Sequence, residues 1–249
     1  MALKHSFEKK GNLFFRYRGQ IPLVLFAAAI PALYFSPIQD FIYSSKAYYA
    51  LLASGVFCSL FGFMWRALAI GKSYKQTSGR NTWGHEAEQL NTKGVYSMIR
   101  HPLYLGNFFM WMGIVVFTGN PWFVIIVSLL FWFYYERIAF SEEQFLEQKF
   151  GKVFLDWSEN VPAFVPKFSK FEASSVPFSI KTILRREYPG ISACVIGFVF
   201  VDFVRVWILF GQPLWLISHG AAVLAALLYS LTMRSLKHHT KLLWEEDRS

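Results

Sequence analysis

The sequence predicts an all-α, polytopic integral membrane protein with about six transmembrane helices. Three observations carry this. The 249 residues are 54% hydrophobic and only 16% charged, against about a quarter charged in soluble domains. Six apolar runs approach or reach the ~20 residues needed to cross a bilayer. The basic residues also gather in the segments that six alternating crossings would leave on one side.

The N-terminal stretch MALKHSFEKKGNLFFRYRGQ is basic, and its first apolar run is followed by a second rather than by a small-residue cleavage site. It therefore reads as part of the protein and not as a cleaved signal. The first two runs are Gln20–Pro37 and Ala47–Gly71. After a polar segment come Leu103–Thr118 and Trp122–Tyr135, each short as a strict run and each extendable at its polar end. Only TGNP, Thr118 to Pro121, separates them, a turn signal that makes them an antiparallel helical hairpin.

The stretch SEEQFLEQKFGKVFLDW follows, with Phe145, Leu146, Phe150, Phe154 and Trp157 at helical spacings and Gly151 placed to interrupt or bend the helix. VPAFVPKF, Val161 to Phe168, ends it with two prolines. The last two runs, Gly190–Phe210 and Leu214–Leu231, are joined by GQP and form a second pair. The expected organisation is an N-terminal helix pair over 1–76, a core over 77–168, and a C-terminal linker and helix pair over 169–249.

With the N-terminus inside, the inner segments 1–19, 72–102, 136–189 and 232–249 hold 22 of the 25 Lys and Arg, and the outer loops hold only Lys46. Arg66 and Arg205 lie within runs. This follows the positive-inside rule and places both termini in the cytoplasm. The net charge of +9 is thereby explained without nucleic acid. Cys58 and Cys194 lie in apolar runs without CxxC or metal-ligand spacing and read as small buried hydrophobes.

Two polar clusters flank the central hairpin. Arg100-His101-Pro102-Leu103-Tyr104 stands at its entry, and Glu136-Arg137 with Glu142-Glu143 at its exit. One turn of the hairpin returns both to the same side. Ionisable groups at membrane depth point to function, while ordinary interfacial anchoring explains the same residues from spacing alone. Pro102 suits a first helical turn, whose N–H groups can meet an anion. His5, His219, His238 and His239 show no acidic partners or metal spacing and read as surface or interface residues. His85, with Glu86 and Glu88, lies in a polar loop able to cover a cofactor. Asp202 and Arg205, three apart in the fifth run, read as a helix-packing pair in preference to a cavity lining.

The motifs GVYSMIRHPLYLG, then ERIAFSEEQFLEQKFG, then VPAFVP resemble the isoprenylcysteine carboxyl methyltransferase and phospholipid methyltransferase superfamily. The resemblance covers residues 77 to 168. It implies S-adenosylmethionine as methyl donor, bound at the cytoplasmic side by the hairpin and the helix after it, without a Rossmann fold; no GxGxxG is present. It implies donor contacts from His101, Tyr104 and Glu143, from backbone around Val95 and Tyr96, and from Arg100 and Gly106. Arg137 and Glu142 match the pair beside the acceptor. Phe154 and Trp157 stand where the family often has tyrosines, so hydroxyls are lost from that helix. The expected acceptor is a lipid or lipid-like molecule in the bacterial inner membrane or endoplasmic reticulum: prenylcysteine, a phospholipid amine, a lipid phosphate or a small hydrophobic acid. A membrane NADPH-dependent reductase of the related sterol-reductase branch and a non-catalytic lipid-binding protein are the rival readings.

Overall fold

A computed structural model describes residues 3–36, 38–73 and 87–245. His85 and Glu86 fall outside the described residues, whereas Glu88 lies within them and Gln89, Leu90 and Asn91 line the cavity described below. Nine α-helices occur among the described residues: α1 (Leu3–Tyr17), α2 (Ile21–Tyr34), α3 (Gln39–Ser44), α4 (Ala47–Gly71), α5 (Pro102–Phe117), α6 (Pro121–Phe150), α7 (Lys152–Asn160), α8 (Ile180–Phe210) and α9 (Ile217–His239). Among the described residues each of the six apolar runs is largely helical. Three helices, α4, α6 and α8, are long and apolar enough to cross a membrane, whereas the apolar parts of α2 and α5 are shorter. Outward-facing Phe57, Leu60 and Met64 on α4, Leu129, Leu130 and Phe133 on α6, and Leu227, Leu228 and Leu231 on α9 are exposed. An apolar surface of that extent is stable against lipid rather than water.

The hairpin forms where its turn residues require it. Asn120 caps α6, its side chain accepting from the Phe123 N–H at 3.1 Å, and Pro121 occupies the first turn, where its missing N–H costs nothing. The α6 helix then runs 30 residues, about 45 Å at 1.5 Å per residue. Its apolar part packs in the bundle, and its last turns carry Glu142 and Glu143 beyond it. Gly151, at φ 53°, ends it and opens α7.

Helices α4 and α5 cross in close backbone approach. A Cβ on Gly62 would lie 2.5 Å from the Gly106 carbonyl and 2.6 Å from the Met110 amide; one on Gly55 would lie 2.5 Å from the Gly113 carbonyl. The two backbones touch because small residues line the seam, the usual route to close packing in lipid. Ser59 adds a hydrogen bond to the Met110 carbonyl at 2.9 Å.

The apolar pattern did not mark α1, the short α3 or the start of α8. The α1 helix lies along α6: Phe7 packs on Phe140, Phe14 on Tyr134, and the Tyr134 hydroxyl donates to the Phe14 carbonyl at 2.5 Å. The α8 helix begins ten residues before its apolar run, capped by Ser179 accepting from the Thr182 N–H at 3.0 Å. Polar residues 180–189 therefore belong to the helix and not to a linker.

At the end of the bundle near Thr118, fully buried Arg205 and its partner Asp202 together join four helices. Arg205 donates to Gln39 at 3.0 Å, to Asp202 at 3.4 Å and to the Phe117 carbonyl at the C-terminus of α5. His219 of α9 meets the other Asp202 oxygen at 2.9 Å. Asp202 and Arg205 thus pack helices, as the spacing indicates. His219 has an acidic partner after all, brought from 17 residues away in sequence by the α8–α9 hairpin.

Candidate active site

The Arg-His-Pro corner is held by the segment that follows α7. Arg100 N–H donates to the Pro162 carbonyl at 2.9 Å, His101 N–H to Ala163 at 3.2 Å, and Lys167 N–H to Met98 at 2.9 Å. The prolines of VPAFVP thus free carbonyls for the corner instead of for a helix. Pro102 starts α5 as its first residue.

Both carboxylates of α6 reach this corner. His101 Nε2 lies 2.7 Å from Glu143 and Nδ1 lies 3.5 Å from Glu142. Arg100 Nε donates to Glu143 at 2.8 Å, while its Nη1 donates to the Ser158 carbonyl at 2.6 Å and the Val161 carbonyl at 3.1 Å. The Tyr104 hydroxyl donates to Glu142 at 2.6 Å, and its ring stacks on His101 at 5.3 Å. Burial disfavours charge on His101, but hydrogen bonds and attraction from Glu142 and Glu143 outweigh it and raise its pKa to about 9. With a carboxylate facing each ring nitrogen, the doubly protonated imidazolium is the form that fits. Burial likewise pushes the Tyr96 phenol up.

A raised histidine pKa stabilises the fold fully below the ordinary value of 6.5, and that stability is lost as pH rises through about 9. Thermal unfolding in detergent between about pH 7 and about pH 10 is therefore expected to fall more steeply for the wild type than for His101→Gln. Equal slopes would show that folded His101 is neutral.

The cluster forms one end of a cavity of about 600 Å³. Tyr96, Arg100, His101, Tyr104, Glu142 and Glu143 line that end, with Phe154 and Trp157 from α7. Leu23 and Phe26 of α2 with Met110 and Trp111 of α5 line an apolar end. Between them, Arg66 of α4 donates to Glu187 of α8 through Nε at 2.7 Å and Nη2 at 2.6 Å, and to Asn107 through Nη1 at 2.6 Å. The Asn107 amide donates to the Tyr135 hydroxyl at 3.1 Å.

The other sequence-identified residues sit elsewhere. Arg137 is not among the cavity residues: it pairs with Glu136 at 2.8 Å and lies 3.6 Å over the Phe7 ring, against α1. Val95 is buried with Trp65 and Ile99 behind the corner. Gly106 faces the α4 seam, where its missing side chain admits Arg66 and the Gly62 carbonyl. Sequence reading passed over Arg66, Asn107 and Glu187. A charge inside the second apolar run was the available signal for Arg66.

Residues 49–153 match the model of the phospholipid methyltransferase family. This segment is similar to that family. The matched segment runs from α4 through α6 with the Arg-His-Pro corner, and α8 and α9 lie outside it. Among its relatives is protein-S-isoprenylcysteine O-methyltransferase B of Arabidopsis thaliana, 40% identical over 83 residues, or 32% of this chain and 41% of the relative. The Dictyostelium discoideum protein-S-isoprenylcysteine O-methyltransferase is 28% identical over 135 residues, 52% and 55%. A nickel-cobalt-cadmium resistance protein of Alcaligenes xylosoxydans xylosoxydans is 33% identical over 121 residues, 49% and 51%. The chain spans about half the length of the curated relatives it matches. No solved structure matches.

Proposed function

We propose that the protein transfers a methyl group from S-adenosylmethionine to an amphiphilic acceptor held in the membrane. One observation carries the reading: a single cavity joins an ionic and aromatic end, at the motif residues of the family core, to an apolar end among membrane helices. A volume of about 600 Å³ is of the size that binds cofactors and small molecules.

The residues present fit the donor. Glu142, Glu143, Arg100 and protonated His101 complement its amino, carboxylate and ribose groups by charge-assisted hydrogen bonds. Tyr104, Phe154 and Trp157 offer ring faces to its base. Trp157 Nε1–H is buried without an acceptor among the described residues. A buried donor left unpaired is costly, and a ligand oxygen would satisfy it. The indole N–H thus stands in for the hydroxyls this helix lacks.

When bound, S-adenosylmethionine supplies a methyl group on a positively charged sulfur. The chain's task is positioning and exclusion of water. The His101–Glu143–Arg100 cluster holds the polar end, the strap at residues 161–167 fixes that cluster, and the membrane helices admit the acceptor's tail. A carboxylate or phosphate acceptor needs no strong base. The ionic end is placed on the cytoplasmic side, in keeping with the 22 of 25 basic residues in the inner segments.

The test uses sealed inverted and right-side-out membrane vesicles containing the full chain. Tritiated methyl should pass from S-adenosylmethionine to lipid-extractable material in inverted vesicles only. In detergent, the donor at about 100 times its Kd should add about 2.7 kcal/mol of stability, and NADPH none. Stabilisation by NADPH alone would favour the reductase reading.

A further inference from the structure

We infer that α8, outside the family core, builds the acceptor half of the cavity: Glu187 positions Arg66 toward the acceptor's head, and Gly190 and Ala193 make room for its apolar chain. The inference rests on the methyl-transfer reading and deepens it.

Arg66 lies within a predicted membrane helix, where a guanidinium is costly unless it is paired or facing a cavity; it does both. Glu187, 3% exposed, grips Nε and Nη2 in a two-point fork. Asn107 and, at 3.4 Å, the Leu103 carbonyl take Nη1. One Nη2–H is left without an acceptor among the described residues. A fork held this way has its remaining donor pre-aimed, so ordering it on binding costs little. Because the pair is net neutral, it orients a headgroup oxygen without drawing in free anions. Asn107 ties it to Tyr135, whose ring lies 4.8 Å from Tyr104, the residue that bonds Glu142. The Arg66 layer therefore adjoins the donor end directly.

Below Glu187 the α8 wall is small. A Cβ on Gly190 would meet only Met110 Cε at 3.4 Å and Phe63 Cε1 at 3.7 Å, ordinary contact distances. Helix packing therefore does not demand glycine there. Its effect is to leave the cavity open, and Ala193 on the same face extends the opening toward Phe26 and Trp111. An amphiphile whose head carries a carboxylate or phosphate oxygen fits this arrangement. In this reading Arg66 supplies the hydrogen-bond donor at the acceptor's head, whereas Arg137 is not among the cavity residues.

The experiment measures tritiated methyl transfer from S-adenosylmethionine into added membrane lipid extract, with donor affinity determined separately by calorimetry. The variants are Arg66→Met/Glu187→Met, Glu187→Gln, Glu187→Asp and Gly190→Leu. Replacing a buried ion pair by apolar residues of similar size often preserves folding, so the double variant separates structure from positioning. Transfer should fall about tenfold or more in the double variant, in Glu187→Gln and in Gly190→Leu. For Gly190→Leu the apparent KM for extract should rise. Donor affinity should stay within about twofold, and Glu187→Asp should recover part of the rate. Wild-type turnover in both the double variant and Gly190→Leu would overturn the α8 assignment while leaving the methyl-transfer reading intact. No transfer by the wild type would remove that reading, and this inference with it. Mild alkali separates the acceptors: label released as methanol marks a carboxylate, alkali-stable phosphate-bound label marks a lipid phosphate, and label on nitrogen contradicts an oxygen acceptor.

Discussion

Gly62→Leu is expected to leave no folded protein. The α4–α5 seam carries the hairpin, and at Gly62 the first atom of any side chain would already lie 2.5 Å and 2.6 Å from backbone atoms of α5. Neither Gly106 nor Met110 can move its main chain without breaking helical hydrogen bonds. Added methylenes in a packed interior usually cost about 1–3 kcal/mol, and a leucine against backbone exceeds what local repacking absorbs. Separating the helices would also pull Arg66 from Asn107 and Ser59 from the Met110 carbonyl. Size-exclusion chromatography in detergent should show aggregate for Gly62→Leu and a normal peak for Gly19→Ala, where an added Cβ meets nothing within 4 Å. A monodisperse Gly62→Leu protein would mean that the seam opens without loss.

Glu143→Ala should produce the largest loss of donor binding. Glu143 is the shared partner of Arg100 and His101. Its removal strips two cations of their carboxylate and lets the His101 pKa fall back. A charge-assisted hydrogen bond is worth about 1.5–3 kcal/mol, so S-adenosylmethionine affinity should drop roughly ten- to a hundredfold. Glu143→Gln, which keeps an acceptor oxygen but no charge, should fall between. Isothermal titration calorimetry on detergent-purified protein measures both. Unchanged affinity in Glu143→Ala and in His101→Ala would move the donor site away from this corner.

The helices and their turns were legible because lipid leaves the backbone few choices. The apolar runs, TGNP and GQP each appear where the pattern places them, and Pro102 and Gly151 punctuate the chain as their stereochemistry requires. The cluster at Arg100, His101, Tyr104, Glu142 and Glu143 could be brought together because one hairpin relates its two halves. Glu187 was not legible: it lies 121 residues from Arg66, in a polar stretch whose helicity comes from the Ser179 cap rather than from apolar periodicity. The placement of Arg137 was hidden for a similar reason. Only the packing of α1, a basic amphipathic helix with no membrane-length run, turns that guanidinium onto Phe7.

The order of synthesis gives the Arg66–Glu187 and Arg205 contacts a further consequence. Arg66 enters the bilayer early, and the carboxylate that balances it is made 121 residues later. The exposed carbonyl end of α5 likewise waits 88 residues for Arg205. A nascent chain thus holds an uncompensated guanidinium among lipids, at about 2.5–3.5 kcal/mol on insertion scales, until α8 has been threaded in. The matched core cannot mature ahead of the C-terminal third. Messages cut short before codon 187 yield proteins whose intramembrane Arg66 keeps its Asn107 and Leu103 acceptors but lacks its carboxylate, the kind of defect on which membrane proteases and chaperones act. Completion of the chain is in this way a condition for its survival as well as for its chemistry.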